Sequence, residues 1–449
     1  MKRATQPFCS KRPSVDKRKF NSSAVEELIT EVTDKIGDPE LAWMFRNCYP
    51  NTLDTTVEIA DFSKKRADSF VITGDIPALW LRDSTAQVWP YMPLLKSDKH
   101  LAKLIQGLIH RHARCVLLDP YANSFEQNPA HSGWATDSPT PKPGVHECKW
   151  EIDSLCYVIR LAFEYYRITN DKSVFDTQWD KAMRLIVSTF ITEQRKDGSS
   201  PYSFVRQTAF MLDAPPFYGK GNPLRPVGMI ASMFRPSDDS TIFPFLVPSN
   251  LFAVQELRHL AIIYSTVFTD KRFAQKCTAL AEEVESAIKK YAVVNHSEFG
   301  KIYAYEVDGY GNYVCMDDAN VPSLMSLPYL GICKSTDPLY RRTRAFLLSD
   351  SNPYYLRGTA ADGQASPHTG FENIWPMGII LRALTSTDDD EITHCLSLLK
   401  KTHADTGFMH ESFHKNDPCK FSRSWFAWAN TLFGELIIKV YTERPKLLA

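Results

Sequence analysis

Apolar residues recur every three or four positions along most of the chain, with polar residues between them. The stretch AVEELITEVTDKI at residues 24–36 shows this spacing, and Asn21, Ser22 and Ser23 before it are typical of a helix N-terminus. The same spacing predicts further helices around residues 98–118, 151–168, 175–193, 249–267, 271–291, 371–385, 391–403 and 425–442. Helices therefore dominate the predicted structure.

Strand-like patterns are short and lie between the helices. The stretch KIYAYEVDGYGNYVCM predicts a β-hairpin that turns around Asp308 and Gly309. The longest connections, which are rich in proline, glycine and aromatic residues, are 119–148, 197–248, 349–370 and 407–424. Loops of this length are uncommon in a compact domain unless they have a function. The pattern predicts an all-α fold, an (α/α)6 barrel, in which the long loops form the active-site end.

The length of the chain and its linkers predict how it divides into domains. With 449 residues, 44% of them hydrophobic, the chain is able to bury a large core. No low-complexity linker divides it after residue 20, so residues 21–449 are expected to form a single catalytic domain. Residues 1–20 are basic and are expected to form a disordered arm.

The charge balance and the cysteines limit the partners and the compartment. Lysine plus arginine equals aspartate plus glutamate at 52 each, which favours neither nucleic acid nor an anionic membrane as a partner. No segment approaches the roughly 20 apolar residues of a membrane span. Ten dispersed cysteines without a CxxC motif fit reduced thiols. We expect a cytoplasmic protein, with an organellar targeting segment at the basic N-terminus as the alternative.

The long loops concentrate aromatic, acidic and basic side chains in a pattern typical of a sugar site. Flat rings match the apolar faces of a sugar, while carboxylates and guanidinium groups bind its hydroxyls. The candidate sugar-binding residues are Trp80, Arg82, Asp83, Trp150, Glu151, Asp153, Arg235, His368, Trp375 and His410. No zinc spacing and no nucleotide or dinucleotide motif is present, so neither a metal nor a cofactor is expected.

Glycoside hydrolysis also needs two carboxyl groups in different protonation states. In RPSDDS, Asp238 and Asp239 are adjacent, and a neighbouring like charge raises the pKa of one carboxyl group, which suits a general acid. In GFMHESF, Glu411 lies beside His410 and is the candidate general base. Taken singly, each of these two motifs is better explained as a helix cap or a surface carboxylate than as a catalytic group.

Five motifs in this order resemble glycoside hydrolase family 125: GDIPALWLRDSTAQVWPY, KWEIDSLCY, RPSDDSTIFPFLVPSN, SPHTGFENIWPM and GFMHESF. The resemblance extends from about residue 25 to about residue 440. It implies an (α/α)6 barrel and an exo-acting, inverting α-1,6-mannosidase without a metal requirement. It also implies that Asp238 or Asp239 is the general acid, with Asp238 favoured, and that Glu411 is the general base. Arg82 and Asp83 would then bind the terminal mannose.

Two other functions are compatible with the motifs. One is a different enzyme on the same barrel, either another inverting glycosidase or a glycoside phosphorylase that uses phosphate in place of water. The other is a non-catalytic glycan-binding protein, in which the aromatic residues bind sugar and the acids are incidental. In each case the expected partner is an oligosaccharide, and the sequence does not predict the oligomeric state.

Overall fold

The computed structural model describes residues 8–63, 66–198 and 200–449. Its α-helices are α1 (Ser23–Thr33), α2 (Pro39–Cys48), α3 (Asn51–Thr55), α4 (Leu81–Val88), α5 (Lys99–Leu118), α6 (Ile152–Thr169), α7 (Thr177–Glu193), α8 (Pro216–Gly219), α9 (Val247–Thr266), α10 (Lys271–Tyr291), α11 (Pro338–Leu347), α12 (Pro376–Leu384), α13 (Asp389–Thr402) and α14 (Ala427–Glu443). Short 3-10 helices cover Val15–Lys17, Trp89–Leu94, Met211–Asp213, Pro367–Thr369 and Pro445–Leu447.

The strands are short and form six small antiparallel sheets in the described residues. They are β1 (Val57–Asp61), β2 (Asp68–Val71), β3 (Ala78–Trp80), β4 (Ser124–Glu126), β5 (Val145–Glu147), β6 (Phe245–Leu246), β7 (Val293–His296), β8 (Gly300–Tyr303), β9 (Glu306–Val307), β10 (Tyr313–Val314), β11 (Tyr355–Arg357), β12 (Asp362–Gln364), β13 (Asn373–Ile374), β14 (Phe413–His414) and β15 (Asp417–Phe421). The predicted hairpin is confirmed, because β9 and β10 pair on either side of Asp308 and Gly309.

Five helices form the inner wall of the (α/α)6 barrel: α4, α6, α9, α12 and α14. Each is apolar or buried on nearly every side, as expected for helices surrounded by protein. All eight residues of α4 are buried, and α6 is buried without interruption from Ile152 to Ala162. Neighbouring inner helices pack directly, α14 on α4, α4 on α6, and α6 on α9.

An irregular segment, residues 321–330, occupies the remaining position of the inner wall. Tyr157 of α6 donates to the carbonyl of Val321 at 3.1 Å, and Arg160 of α6 donates to the carbonyl of Leu330 at 3.1 Å. On its other side, the Thr385 hydroxyl at the end of α12 lies 3.7 Å from Met325 Sδ. Backbone carbonyls that a helix would satisfy internally are thus satisfied by side chains of the flanking helices.

The outer helices have the amphipathic spacing on which the sequence prediction rested. In α10 the buried residues recur at positions 273, 274, 277, 280, 281, 284, 287 and 288, which form one face against α9. Aspartate side chains accept from the first backbone N–H groups of six outer helices, namely α2, α5, α7, α10, α11 and α13. Ser22, one of the three predicted caps, accepts from Val25 N at 3.3 Å at the start of α1.

The N-terminal arm lies against the barrel where the structure describes it. Its residues 1–7 are outside the described residues. Over residues 8–20 the structure differs from the expected disorder, because the Arg12 side chain is only 6% exposed and ion-pairs with Asp54 and Glu26. In addition, Trp43 Nε1 donates to the carbonyl of Cys9 at 2.6 Å. Among the described residues, none of the helices combines the length and the apolarity needed to cross a bilayer.

Candidate active site

A pocket of about 400 Å³ opens at the end of the barrel where the inner helices begin. Its lining contains seven residues that the sequence analysis singled out: Trp80, Arg82, Asp83, Asp238, His368, Trp375 and Glu411. It also contains Thr73, Ile76, Pro236, Ser237, Asn320, Arg423, Phe426 and Trp428.

The helix starts explain why these residues meet. Trp80 immediately precedes α4, and Arg82 and Asp83 lie in its first turn. Trp375 immediately precedes α12, and Trp428 is the second residue of α14. Because the inner helices all begin at the same end of the barrel, residues distant in sequence converge there. The long loops between outer and inner helices supply the remaining lining, as the sequence predicted.

Arg82 is the electrostatic centre of the pocket floor. Its Nη1 lies 2.6 Å from Glu151 Oε2 and 3.2 Å from Asp153 Oδ2, and its Nη2 lies 3.1 Å from Asp238 Oδ1. Its Nε lies 3.5 Å from Asp83 Oδ2. The guanidinium therefore faces four carboxyl groups and also lies 6.0 Å from the ring centroid of Trp428. Such a buried fork fixes the carboxyl groups in position.

The RPSDDS loop, residues 235–240, presents Asp238 to the pocket through a tight turn. The Asp238 N–H donates to the carbonyl of Arg235 at 2.9 Å, and Asp238 has a φ of +65°. Aspartate is one of the few residues enriched in this left-handed region. The Lys149 ammonium donates to the carbonyl of Asp238 at 2.9 Å. As a result, the Asp238 side chain remains 25% exposed while most of the loop is buried.

Asp239 points away from the pocket. Its side chain is 1% exposed, and its Oδ1 lies 2.9 Å from His368 Nδ1. Burial opposes protonation of His368, but the hydrogen bond and the charge of Asp239 outweigh it and raise the pKa of His368 to about 9. His368 thus lines the pocket as a cation at neutral pH. Of the two adjacent aspartates, only Asp238 is placed to reach a ligand.

The carboxyl groups around Arg82 differ in protonation. Burial raises the pKa of Asp83 to about 6, although the Arg82 charge opposes the rise. Burial also raises the pKa of Glu151 well above its ordinary value. For Asp238, burial acts in the same direction, but Arg82 and Lys149 outweigh it and lower the pKa below its usual range. Burial therefore favours the acid form of Glu151, whereas the two cations favour the carboxylate of Asp238.

Glu411 enters the pocket from the turn that precedes β14. The Ser422 hydroxyl donates to Glu411 Oε2 at 2.7 Å, and Arg423 Nε lies 3.5 Å from Glu411 Oε1. His410 holds this segment in place. Its Nδ1 lies 2.8 Å from the carbonyl of Arg423, and its ring stacks on that of Phe421 with the centroids 4.0 Å apart. Glu411 is thereby held in one orientation by donors to both of its carboxylate oxygens.

The structure differs from the prediction for five proposed sugar-binding residues, which lie behind the pocket lining. Trp150, Glu151, Asp153, Arg235 and His410 are each at most 2% exposed. Each of them has at least one polar atom that contacts a protein group, so that they support the pocket from behind. Trp150 Nε1, for example, donates to the carbonyl of Ala231 at 2.7 Å, and Arg235 Nε lies 2.7 Å from Glu306 Oε1.

Sequence reasoning missed several residues that the structure brings to the pocket. Asp318 is buried and accepts from Ser237 of the RPSDDS loop and from Ser366, each at 3.0 Å, so that it ties this loop to the segment that carries His368. Asn320 and Trp428 line the pocket itself. The available signals were the Asp-Asp pair in DDANVP and the aromatic cluster in SWFAW, which lies at the start of an apolar helix.

One group of potential metal ligands was found among the described residues, namely Glu40, His403 and Asp405, and none of these lines the pocket. His403 Nδ1 accepts from the Gly407 N–H at 3.3 Å, which places the ring proton on Nε2. Nε2 in turn lies 3.2 Å from Glu40 Oε1. This tautomer suits a hydrogen bond to Glu40 and leaves no free nitrogen for a metal ion.

Comparisons with known proteins agree with this geometry. The family model of metal-independent α-mannosidases (GH125) matches residues 38–438. The meiotically up-regulated gene 157 protein of Schizosaccharomyces pombe is 41% identical over 467 residues, which cover 98% of this chain and 90% of that protein. A solved structure of a Streptococcus pneumoniae metal-independent α-mannosidase, in a non-productive complex with α-1,6-mannobiose, is 41% identical. The match has a TM-score of 0.91 and covers 95% of this chain and 100% of that one. The chain therefore belongs to glycoside hydrolase family 125, the metal-independent α-mannosidases.

Proposed function

We propose that this α-mannosidase removes terminal α-1,6-linked mannose from the non-reducing end of an oligosaccharide, with inversion at the anomeric carbon. The main observation in support of this proposal is that Asp238 and Glu411 line one small pocket from different loops. The pocket is closed at its inner end by the buried Arg82 and Asp83, which supports exo action on a single terminal sugar. The α-1,6-mannobiose bound to the Streptococcus pneumoniae relative supports the linkage.

In the proposed reaction Asp238 is the general acid and Glu411 the general base. Glu411 takes a proton from a water molecule, and the water oxygen attacks the anomeric carbon as the glycosidic bond breaks. The bridging oxygen leaves with a proton from Asp238. β-Mannose is the first product, because attack and departure occur on opposite faces of the sugar ring. Glu411 then returns its proton to solvent.

The remaining lining residues bind and orient the mannose. Asp83 accepts from two sugar hydroxyls while Arg82 donates and holds Asp83 in place. The indoles of Trp80, Trp375 and Trp428 give the pocket flat apolar walls that match sugar faces. The His368 cation beside Asp239 supplies a donor at the side of the pocket. These contacts position the terminal residue for attack and leave the rest of the glycan outside.

The rival functions have less support in the pocket. A phosphorylase needs a free cationic site for phosphate, but Arg82 faces four carboxyl groups and Arg423 lies 3.5 Å from Glu411. A glycan-binding protein without activity leaves unexplained why two carboxyl groups with different surroundings share the pocket. Hydrolysis is the reaction that uses both groups.

The test is a panel of mannobioses with α-1,2, α-1,3 and α-1,6 linkages, incubated with and without phosphate. We expect release of free mannose from the α-1,6 compound alone, at a rate independent of phosphate. Release of mannose 1-phosphate would establish the phosphorylase. Binding of α-1,6-mannobiose by calorimetry, with no turnover in either the wild type or Glu411→Gln, would establish the binding protein.

The domain division and the compartment are also proposals. Residues 21–449 are proposed as one catalytic domain, because the inner wall closes between α14 and α4. A cytoplasmic location is supported by the ten cysteines, which are all free thiols. Labelled protein in a cell fractionation experiment separates this location from an organelle. Recovery of the protein with organelles would contradict the cytoplasmic proposal.

A further inference from the structure

Too many acids surround Arg82 for all of them to be ionised. Four carboxyl groups contact this one guanidinium within 3.5 Å. The neighbouring Lys149 is already paired with Asp213 at 2.6 Å and with Glu147 at 3.5 Å. Burying an uncompensated carboxylate is costly, so such a cluster retains a proton on one of its members.

The hydrogen bonds identify where this proton lies. Glu151 Oε2 accepts from Arg82 Nη1 at 2.6 Å and from the Ser154 hydroxyl at 2.8 Å. Glu151 Oε1 is buried, and the described part of the chain offers it no donor. Glu151 and Asp238 lie on neighbouring nitrogens of the same guanidinium, Nη1 and Nη2 of Arg82, so that the two carboxyl groups are close enough to interact. Two carboxyl groups form a hydrogen bond with one another only when they share a proton, and Oε1 is the Glu151 oxygen that has no other partner.

This pair bears on the proposed function, on which the following inference rests. A general acid must carry a proton at working pH, but Arg82 and Lys149 outweigh burial and lower the pKa of Asp238. Asp238 is therefore a carboxylate in the free enzyme and lacks the proton that the reaction needs. The nearest proton is the one on Glu151, whose pKa is raised by its burial.

We propose that Glu151 is a positioning residue that stores the catalytic proton and passes it to Asp238 across their shared hydrogen bond. When the proton moves to Asp238, the Glu151 carboxylate is stabilised by Arg82 and Ser154, which already contact its Oε2. Asp238 then protonates the bridging oxygen as the glycosidic bond breaks. The pair regains one proton from solvent, and the proton that Glu411 took from water is released, so that protons balance over the cycle.

Asp153 provides a matched control. Its carboxylate is as buried as that of Glu151 and contacts the same Arg82 nitrogen, at 3.2 Å. Unlike Glu151, it has both oxygens engaged, since its Oδ1 accepts from the Ser249 hydroxyl at 3.4 Å. A substitution at Asp153 removes one charge from the cluster without removing the shared proton.

The test compares two substrates that differ in their need for a proton. The leaving sugar of α-1,6-mannobiose requires protonation, whereas dinitrophenolate leaves from dinitrophenyl α-mannoside without it. Glu151→Gln keeps the shape and donates an amide N–H to Asp238 but supplies no proton. We expect kcat/KM for mannobiose to fall by about 100-fold or more, and that for the dinitrophenyl substrate by less than about fivefold.

The controls separate a proton store from a structural acid. Asp153→Asn is expected to affect both substrates by the same factor. With mannobiose as substrate, kcat/KM is expected to decrease at high pH. In Glu151→Gln this decrease is expected to begin at a lower pH, because Asp238 alone then holds the proton. An equal loss for both substrates in Glu151→Gln, or a decrease that begins at the same pH as in the wild type, overturns the proposal.

Two further measurements keep the inference testable if Glu151→Gln does not fold or the enzyme proves inactive. Ser154→Ala removes one donor to the Glu151 carboxylate, so we expect a loss of about 3- to 10-fold with mannobiose and none with the dinitrophenyl substrate. The infrared spectrum of the wild type at neutral pH is expected to show a carboxylic acid band that Glu151→Gln lacks. If the wild type cleaves neither mannoside, the proposed function fails, and the infrared band alone decides the shared proton.

Discussion

The two proposed catalytic carboxyl groups of the pocket, Asp238 and Glu411, are held in opposite ways. Asp238 lies on a buried loop between two cations, and a second acid, Glu151, shares a hydrogen bond with it. Glu411 lies in the turn before β14, where the Ser422 hydroxyl at 2.7 Å and the Arg423 guanidinium at 3.5 Å hold its carboxylate. In the proposed mechanism, the contacts of Asp238 control a proton, while those of Glu411 control an orientation.

This difference follows from what each group must do. A general acid has to gain and lose its proton in every cycle, and the cluster around Arg82 provides both a cation and a neighbouring acid for this exchange. A general base that activates water needs to remain ionised and to point at the water. Donors to both oxygens of Glu411 hold its carboxylate in one orientation. The two sides should therefore respond differently to substitution and to the choice of substrate.

Removing the base has the largest expected effect. Glu411→Gln keeps the shape and the Ser422 hydrogen bond but takes no proton from water. We expect kcat to fall by about 10³-fold or more for mannobiose and for dinitrophenyl α-mannoside alike, because both reactions need activated water. Steady-state kinetics on both substrates measure this, and a loss confined to one substrate would contradict the role of Glu411.

Removing the acid is expected to separate the two substrates. Asp238→Asn should lower kcat/KM by about 10²- to 10⁴-fold for mannobiose and far less for the dinitrophenyl substrate. Asp239→Asn is the matched control, because Asp239 is adjacent but points at His368. We expect a smaller, equal loss for both substrates and a lower pKa of His368, measurable by NMR. A larger substrate difference in Asp239→Asn would transfer the acid role to that residue.

Breaking the ion pair that anchors the RPSDDS loop is predicted to destabilise the protein. Glu306→Gln leaves the Arg235 guanidinium buried without its carboxylate, and breaking such a pair costs about 3–5 kcal/mol of unfolding free energy. Urea denaturation measures it. Glu443→Gln breaks the exposed pair with Lys439 instead and is expected to cost about 0.5 kcal/mol or less. Equal costs would show that the loop is not anchored by Glu306.

Replacing Asp83, at the floor of the pocket, is predicted to stabilise the protein at neutral pH. Because burial raises the pKa of Asp83 to about 6, the folded state holds a proton that the unfolded state has lost, and stability falls as pH rises from about 4 to about 6. Asp83→Asn removes that loss, so we expect an unfolding free energy higher by about 1–3 kcal/mol at pH 7, together with a loss of activity. The gain should vanish below about pH 4. A variant less stable than the wild type at pH 7 would contradict the raised pKa.

Removing a hydrogen-bond donor to Glu411 is expected to have the smallest effect on kcat. Ser422→Ala removes the hydroxyl that donates to Glu411 at 2.7 Å, and a hydrogen bond to a charged group contributes about 1.5–3 kcal/mol. We expect kcat to fall by about 10-fold for both substrates. The hydroxyl of Ser412 contacts the Ser422 hydroxyl and not the Glu411 carboxylate, so Ser412→Ala should change kcat by less than about threefold. A substrate-dependent loss in Ser422→Ala would contradict a purely orienting role.

The helices that the sequence predicted best are those with one buried face. Helix α10 alternates buried and exposed positions with a helical period, and its sequence range of 271–291 was found without error. Helix α4 was missed, because all of its residues are buried and LRDSTAQV shows no apolar stripe. The helix expected at 371–385 begins at Pro376, after a strand and a loop that belong to the pocket.

The site was predictable where a motif carries several chemical groups together, as at Arg82 and Asp83 or at Glu411. It was not predictable where a single residue reaches the pocket through folding alone, as for Asn320 and Trp428. The sequence also could not separate the residues that line the pocket from those that support it from behind. Glu151 and Asp83 look alike as helix-start acids, yet only the folded structure places Asp83 in the pocket and Glu151 behind Arg82.

The measurement that tests the central claim most directly is proton NMR of the sugar released from α-1,6-mannobiose in the presence of a chelator. The claim is that Asp238 and Glu411 act on opposite faces of the terminal mannose in a single displacement. The expected result is initial appearance of the β-anomer, at a rate unaffected by the chelator. Initial appearance of the α-anomer would contradict the mechanism, because it requires two displacements at the anomeric carbon.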